Sequence, residues 1–162
     1  MLTTTNTINN LGSSAWIAQI TGYEDLIFKL TDFSIPEVNA GVTAISNRTN
    51  YVYQETGDHI QYENLSLSFL VDENLKNYRR LHEWMRDNTE NGIARQESIF
   101  VHLLDNNKRF QGMEIEFIFA FPISLSKLEF DVDGNISDVT CSVTFAYTYF
   151  DFIDATKNSP LE

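Results

Sequence analysis

Three carboxylates at alternate positions, Glu129, Asp131 and Asp133, lead into Gly134 in the stretch EFDVDGNISD. A calcium loop of the EF-hand kind places acidic oxygens at alternate positions, a glycine at its sixth and a bidentate glutamate at its twelfth. Counted from Glu129, the sixth residue is Gly134, but the twelfth is Thr140, which has no carboxylate to offer. Leu128, Phe130 and Val132 alternate with the acids, which puts Glu129 and Asp131 on the outer face of a predicted strand. Asp133–Gly134–Asn135 has the backbone freedom of a tight hairpin. The hairpin is the favoured reading, and no metal site is expected.

The other reactive side chains are scattered. His59, His82 and His102 are not spaced as a metal pair. Cys141 is the sole cysteine, so no disulfide forms within the chain. It falls between Val139 and Val143 on the apolar side of a predicted strand, as a small buried hydrophobe and not a nucleophile. The chain lacks G-x-S-x-G, a phosphate-binding glycine loop and H-E-x-x-H. The Arg79–Arg80 pair on a helix surface reads as a solvated face or a partner contact. Neither an enzyme nor a cofactor is expected.

Composition narrows the classes further. The chain has 162 residues, 43% of them hydrophobic, enough for one domain with one core. Its 12 Phe, 7 Tyr and 2 Trp favour strands and interfaces. A net charge of -12 argues against a grip on nucleic acid, though not against a surface that DNA passes without sticking. Residues 1–14 are polar and read as a flexible arm, not a signal peptide. No apolar run approaches the ~20 residues of a membrane helix, so no membrane anchor is expected.

The elements that would position these residues are mostly strands. Short strands are predicted over Trp16–Ile20 and Leu26–Leu30, with a third extended piece from Phe33 to Pro36. Residues 39–62 read as a long polar connection, a length that in compact domains goes with function or contact with another chain. Leu65, Leu67, Phe69 and Val71 alternate with Ser66 and Ser68. Asp72 is placed to cap a helix over 73–87 whose apolar face is Leu75, Tyr78, Leu81 and Met85, flanked by Trp84. Further strands are predicted over 99–104, over 114–119 with Ile115, Phe117 and Phe119 on one side, over 126–132 beyond an interruption at Pro122, and over 138–149. The fold class is mainly β with one packed helix: an antiparallel sandwich or partial barrel.

Several strands pair an apolar face with one of Ser, Thr, Glu and Asp. A β-sandwich with one solvated side explains this, and so does a sheet lining a water-filled conduit. The block LSLSFLVDENLKNYRRLHEWM (65–85), with Tyr78, Leu81 and Trp84, resembles the tail tube proteins of contractile-tailed bacteriophages. FPISLSKLEFDVDGNISDVTCSVTFAYTYFDF (121–152) and FKLTDFSIPEV (28–38) are similar to that family's closing and opening hairpins. The resemblance spans about residues 16–152, leaving an arm (1–14), a tail-tube-like domain (15–152) and a tail (153–162).

The resemblance implies a homo-oligomer: hexameric rings whose sheets close into a continuous β-barrel, stacked as a tube in a virion tail assembled in the host cytoplasm. Double-stranded DNA would pass through the lumen without specific binding. Sheath, neck or baseplate proteins would surround the rings. Ser66, Ser68, Glu114, Glu116, Thr140, Ser142 and Thr144 would line the channel. Asn47, Tyr51, Tyr53, Asp58 and Arg79 would contact other subunits or rings. The repeated tube subunit is the leading reading, and the head-proximal tube terminator is its close second. A soluble β-rich ligand-binding module is the competing reading from another class, and a hydrolase using the carboxylates is the third.

Overall fold

The computed structural model describes residues 16–24, 27–46, 52–92, 95–104, 110–130 and 138–154. In chain order the elements are β1 (Trp16–Ile20), β2 (Ile27–Phe33), β3 (Val38–Asn39), β4 (Val42–Ser46), β5 (Val52–Thr56), β6 (Gln61–Tyr62), β7 (Leu65–Leu70), α1 (Lys76–Glu90), β8 (Glu97–Leu104), β9 (Phe110–Leu125), β10 (Thr140–Ala146) and β11 (Tyr149–Asp154). The expected arm over 1–14, the hairpin tip at 131–137 and the tail from 155 lie outside the described residues.

Antiparallel ladders run in the order β10-β7-β2-β1-β8-β9, and β9 pairs back onto β10, so six strands close a barrel. Closure follows from the length of β9. Its first part pairs with β8 and β11, and its last part, Phe121–Leu125, pairs with β10. The change of partner needs a change of parity. Ile115 and Phe117 point into the core, Phe119 takes a positive φ of 56° and is 53% exposed, and Ala120 is buried again. Across the ladder Phe145 is buried, the chain breaks at Tyr147–Thr148, and Phe150 is the next ring packed on the core. The two kinks sit opposite each other, so both strands bend from one wall of the barrel to the other without losing their ladder.

This corrects four expectations. Phe119 does not share a face with Ile115 and Phe117. Pro122 does not interrupt the strand; it is buried inside β9, at the register shift beside Phe145. The closing strand is two strands, because the kink at Tyr147–Thr148 divides it. Residues 126–130 are not in a strand, and Phe130 is 68% exposed instead of inward.

The core is Leu65, Leu67 and Phe69 from β7 against Cys141, Val143 and Phe145 from β10, with Phe28, Ala18, Ile99, Val101, Ile115 and Phe117 from the remaining strands. Phe28 and Phe69 meet edge to face at 5.0 Å. The helix packs on this core through Leu81 and Trp84, both nearly inaccessible, so Trp84 is the centre of its buried face and not its flank. Trp84 reaches Phe145 at 6.1 Å and Tyr23 at 5.7 Å, and its indole N–H donates to the Arg95 carbonyl at 2.9 Å.

The helix also starts later than the Asp72 cap implies. Leu75, at the N-cap, takes a left-handed conformation and makes no side-chain cap bond. Buried Asn77 does the fastening instead. Its Oδ1 accepts from the Asp72 and Tyr78 amides, and its Nδ2 donates to the Leu70 carbonyl at 2.8 Å, locking α1 to the end of β7.

The supposed long connection over 39–62 is also structured. β4 and β5 form a hairpin from Val42↔Thr56 to Ser46↔Val52, and β3 pairs with β6 at its root. Polarity hid this, because none of the side chains described on this pair has a buried partner to impose an alternating pattern. Gly57 holds the root closed: a Cβ there would stand 2.5 Å from the Ala40 carbonyl oxygen.

Candidate assembly surfaces

The sequence alternation of β7 and β10 puts hydroxyls on the outside of one wall. In register, Ser66 faces Thr144, Ser68 faces Ser142, and Leu70 faces Thr140. The Ser68 and Ser142 hydroxyls share a hydrogen bond at 2.7 Å. The row widens on both sides. Thr144 pairs with Ser124 of β9, and Ser68 pairs with Asp32 of β2. Ser126 Oγ accepts from the Ser142 amide at 2.9 Å. The result is a four-stranded wall, β2–β7–β10–β9, whose outer surface carries short hydroxyl side chains together with Asp32 and Leu70.

Asp32 and Ser124 were missed in the sequence. A register shift between Leu30 and Asp32 breaks the alternation around one, and Pro122 disguises the strand that carries the other. Glu114 and Glu116 are not brought onto this surface. They precede the Phe119 kink and belong to the other wall, β1–β8–β9–β11. There Glu114 lies 3.4 Å from His102 Nδ1, and Glu116 accepts from Ser98 Oγ at 2.8 Å.

Two stretches of this wall lack a ladder partner on one side among the described residues. Among the described residues, Thr31–Phe33 have no partner on the β1 side, and Phe121–Leu125 have none on the β8 side. Unpaired ladder edges recruit further strands. Among the described residues β11 likewise pairs only with β9, and it carries exposed Phe152 and Tyr149.

The hairpin β4–β5 is the second surface. Strand parity puts Val42, Ala44 and Val52 on one face and Ile45 and Tyr53 on the other. Val42, Val52 and Tyr53 are 66%, 64% and 57% exposed. An isolated two-stranded hairpin is marginal in water, and exposed apolar patches of this kind mark contacts with another molecule. Asp58 is exposed just beyond it, while Asn47 and Tyr51 lie outside the described residues.

Helix α1 presents a third surface, of charge. Lys76, Arg79, Arg80 and Arg86 make up four of the chain's 11 lysines and arginines. Arg79 and Arg80 each lie 3.8 Å from the single carboxylate of Glu83, and Arg86 is tied to Glu90 at 2.7 Å. The first turn has no acid and the last turn no base, the reverse of what the helix dipole favours by ~0.3–1 kcal/mol per charge.

Burial pushes the Cys141 thiol up, against weaker opposition from Ser126. His59 and His82 are exposed. Among the described residues no group of three or more His, Cys, Asp or Glu side chains could hold a metal ion, and no helix is long and apolar enough to cross a membrane.

A closed antiparallel barrel with one docked helix is a fold shared with solved structures of contractile injection systems. The chain superposes with a TM-score of 0.72 on the sheath/tube terminator structure of an extracellular contractile injection system, covering 90% of this chain and 98% of that one at 16% identity. It superposes with a TM-score of 0.71 on the tube terminating cap of the anti-feeding prophage, covering 96% and 100% at 20% identity. In sequence, the chain belongs to the family of the T4-like virus tail tube protein gp19, which it matches over residues 15–151. It is also 32% identical over 105 residues to the tail tube terminator protein of Enterobacteria phage T4. That alignment spans 60% of this chain and 60% of the relative.

Proposed function

We propose that this protein is a tail tube terminator: a ring of identical copies that ends the tube of a contractile phage tail on its head-proximal side. The observation that carries the reading is the 32% identity with the phage T4 terminator, within a family otherwise described by the tube subunit. Copies join edge to edge, Phe121–Leu125 of one beside Thr31–Phe33 of the next, so that six four-stranded walls close a continuous barrel. Ser66, Ser68, Thr140, Ser142 and Thr144, with Asp32 and Ser124, then face the lumen. A wall of hydroxyls with few cations offers passing double-stranded DNA no electrostatic trap. The hairpin carrying Tyr53, with Asp58 beyond it, packs on a neighbouring copy or the adjoining tube ring. Sheath or neck proteins surround the ring, and the whole is placed in the virion tail after assembly in the host cytoplasm.

A terminator and a repeated subunit differ in whether they propagate. Purified terminator gives single rings at every concentration and, added to growing tubes of the repeated subunit, stops their elongation with one ring at one end. Electron microscopy reads both outcomes. Long tubes formed by this chain alone would assign it to the repeated subunit instead, and a persistent monomer would remove the ring.

A further inference from the structure

The charged face of α1 points away from the hydroxyl wall. Phe145 projects to the core side of β10, opposite Ser142 and Thr144, and Trp84 meets it from that side. Leu81, Trp84 and Asn77 therefore turn inward, and Lys76, Arg79, Arg80 and Glu83 turn outward, lining a shallow groove with Asn74. Neighbouring copies joined at the wall edges lie to the sides. What the helix meets is whatever encircles the ring.

We propose that this groove docks an acidic peptide segment of a protein surrounding the ring; the inference rests on the lumen assignment above. The charges are the argument. In a chain of net charge -12, Lys76, Arg79 and Arg80 stand together in the first turns of one helix, where the helix dipole disfavours cations. Two guanidiniums share one glutamate at 3.8 Å, a distance that leaves most of their N–H donors uncommitted. A strand or helix bearing carboxylates satisfies those donors by charge-assisted, bidentate bonds.

The test titrates a fluorescein-labelled oligoglutamate peptide into the full-length protein, with a Gly/Ser peptide as control, while light scattering follows assembly size. Expected is saturable binding that weakens as salt rises, falling roughly ten-fold or more in Arg79→Glu/Arg80→Glu with assembly size unchanged. No binding by the native protein, or equal binding by the variant, overturns the proposal. Salt-sensitive clustering of native rings that the variant abolishes also overturns it, because the groove then serves a second copy. If charge reversal disturbs folding, Arg79→Gln/Arg80→Gln is read the same way. A monomer at every concentration would defeat the ring reading; peptide binding reads the groove independently.

Discussion

Two antiparallel strand pairs of this protein meet opposite fates. In β7–β10, one face carries Leu65, Leu67, Phe69, Cys141, Val143 and Phe145, all at most 3% exposed, and the other carries hydroxyls. In β4–β5, apolar side chains stand on both faces and none of those described is buried. The first pair finds its partners within its own chain, in the opposite barrel wall and α1. Among the described residues the second has no such partner, and exposed apolar area of this kind marks contact with another molecule. Stability should therefore reside in the barrel and assembly in the hairpin, and single substitutions should separate the two.

The largest effect belongs to the barrel. Phe69→Ala removes a ring at the centre of the core and should cost about 3–5 kcal/mol in denaturant unfolding of the monomeric state. A loss below about 1 kcal/mol would mean that the closed barrel is not where stability lies. Next comes the hairpin. Val52→Glu/Tyr53→Glu should leave the midpoint within about 0.5 kcal/mol of the parent while weakening assembly at least roughly ten-fold by size measurement. Equal damage to both quantities would erase the distinction between the regions. Smaller still for the fold is Thr144→Arg on the hydroxyl wall, expected to shift stability by under about 0.5 kcal/mol. Its effect should appear as slowed genome release from reconstituted tails, since a ring of added cations holds a polyanion. Unchanged release would place Thr144 away from the lumen.

The same contrast explains what could be read from the sequence. Alternation is imposed by a buried face, so β7 and β10 are visible as Leu65-x-Leu67-x-Phe69 and its counterpart, while most of β8 is visible as a short run apolar on both faces. Where burial does not dictate pattern, the reading failed. The hairpin looked like a loop because its side chains have no buried partner among the described residues. The helix start was misplaced because Asn77, not Asp72, makes the fastening bonds, a choice set by the Leu70 carbonyl beyond the helix. β9 looked broken at Pro122 and in phase at Phe119, and both errors come from one cause: a matched kink needs two strands to be seen, and a single chain pattern shows only one. The hydroxyls Ser66, Ser68, Ser142 and Thr144 were legible, whereas Glu114 and Glu116 were grouped with them only because the kink was invisible.

The barrel and the hairpin meet at Tyr147, which supplies the smallest and most local prediction. Its ring lies 5.1 Å from Phe117 in the core and 6.1 Å from Tyr62 at the hairpin root. Its hydroxyl is buried with no hydrogen-bond partner among the described residues. Burial, with smaller contributions from Tyr62 and Glu63, pushes its pKa up to about 12 from 10.0. The folded state therefore holds this proton at a pH where the unfolded chain has released it. Stability is intact below the unfolded value and is lost as pH rises from about 10 toward 12. Tyr147→Phe keeps the ring contacts and deletes the orphaned hydroxyl. At neutral pH it should be neutral or stabilising by up to about 1 kcal/mol, because no hydrogen bond is lost. Above pH 10, its unfolding midpoint should fall less steeply than that of the parent. A loss exceeding about 1 kcal/mol at neutral pH would mean that the hydroxyl has a partner. In this protein such a partner would have to come from a residue outside those described or from a neighbouring copy, and comparing the variant's loss in monomer and ring separates these two sources.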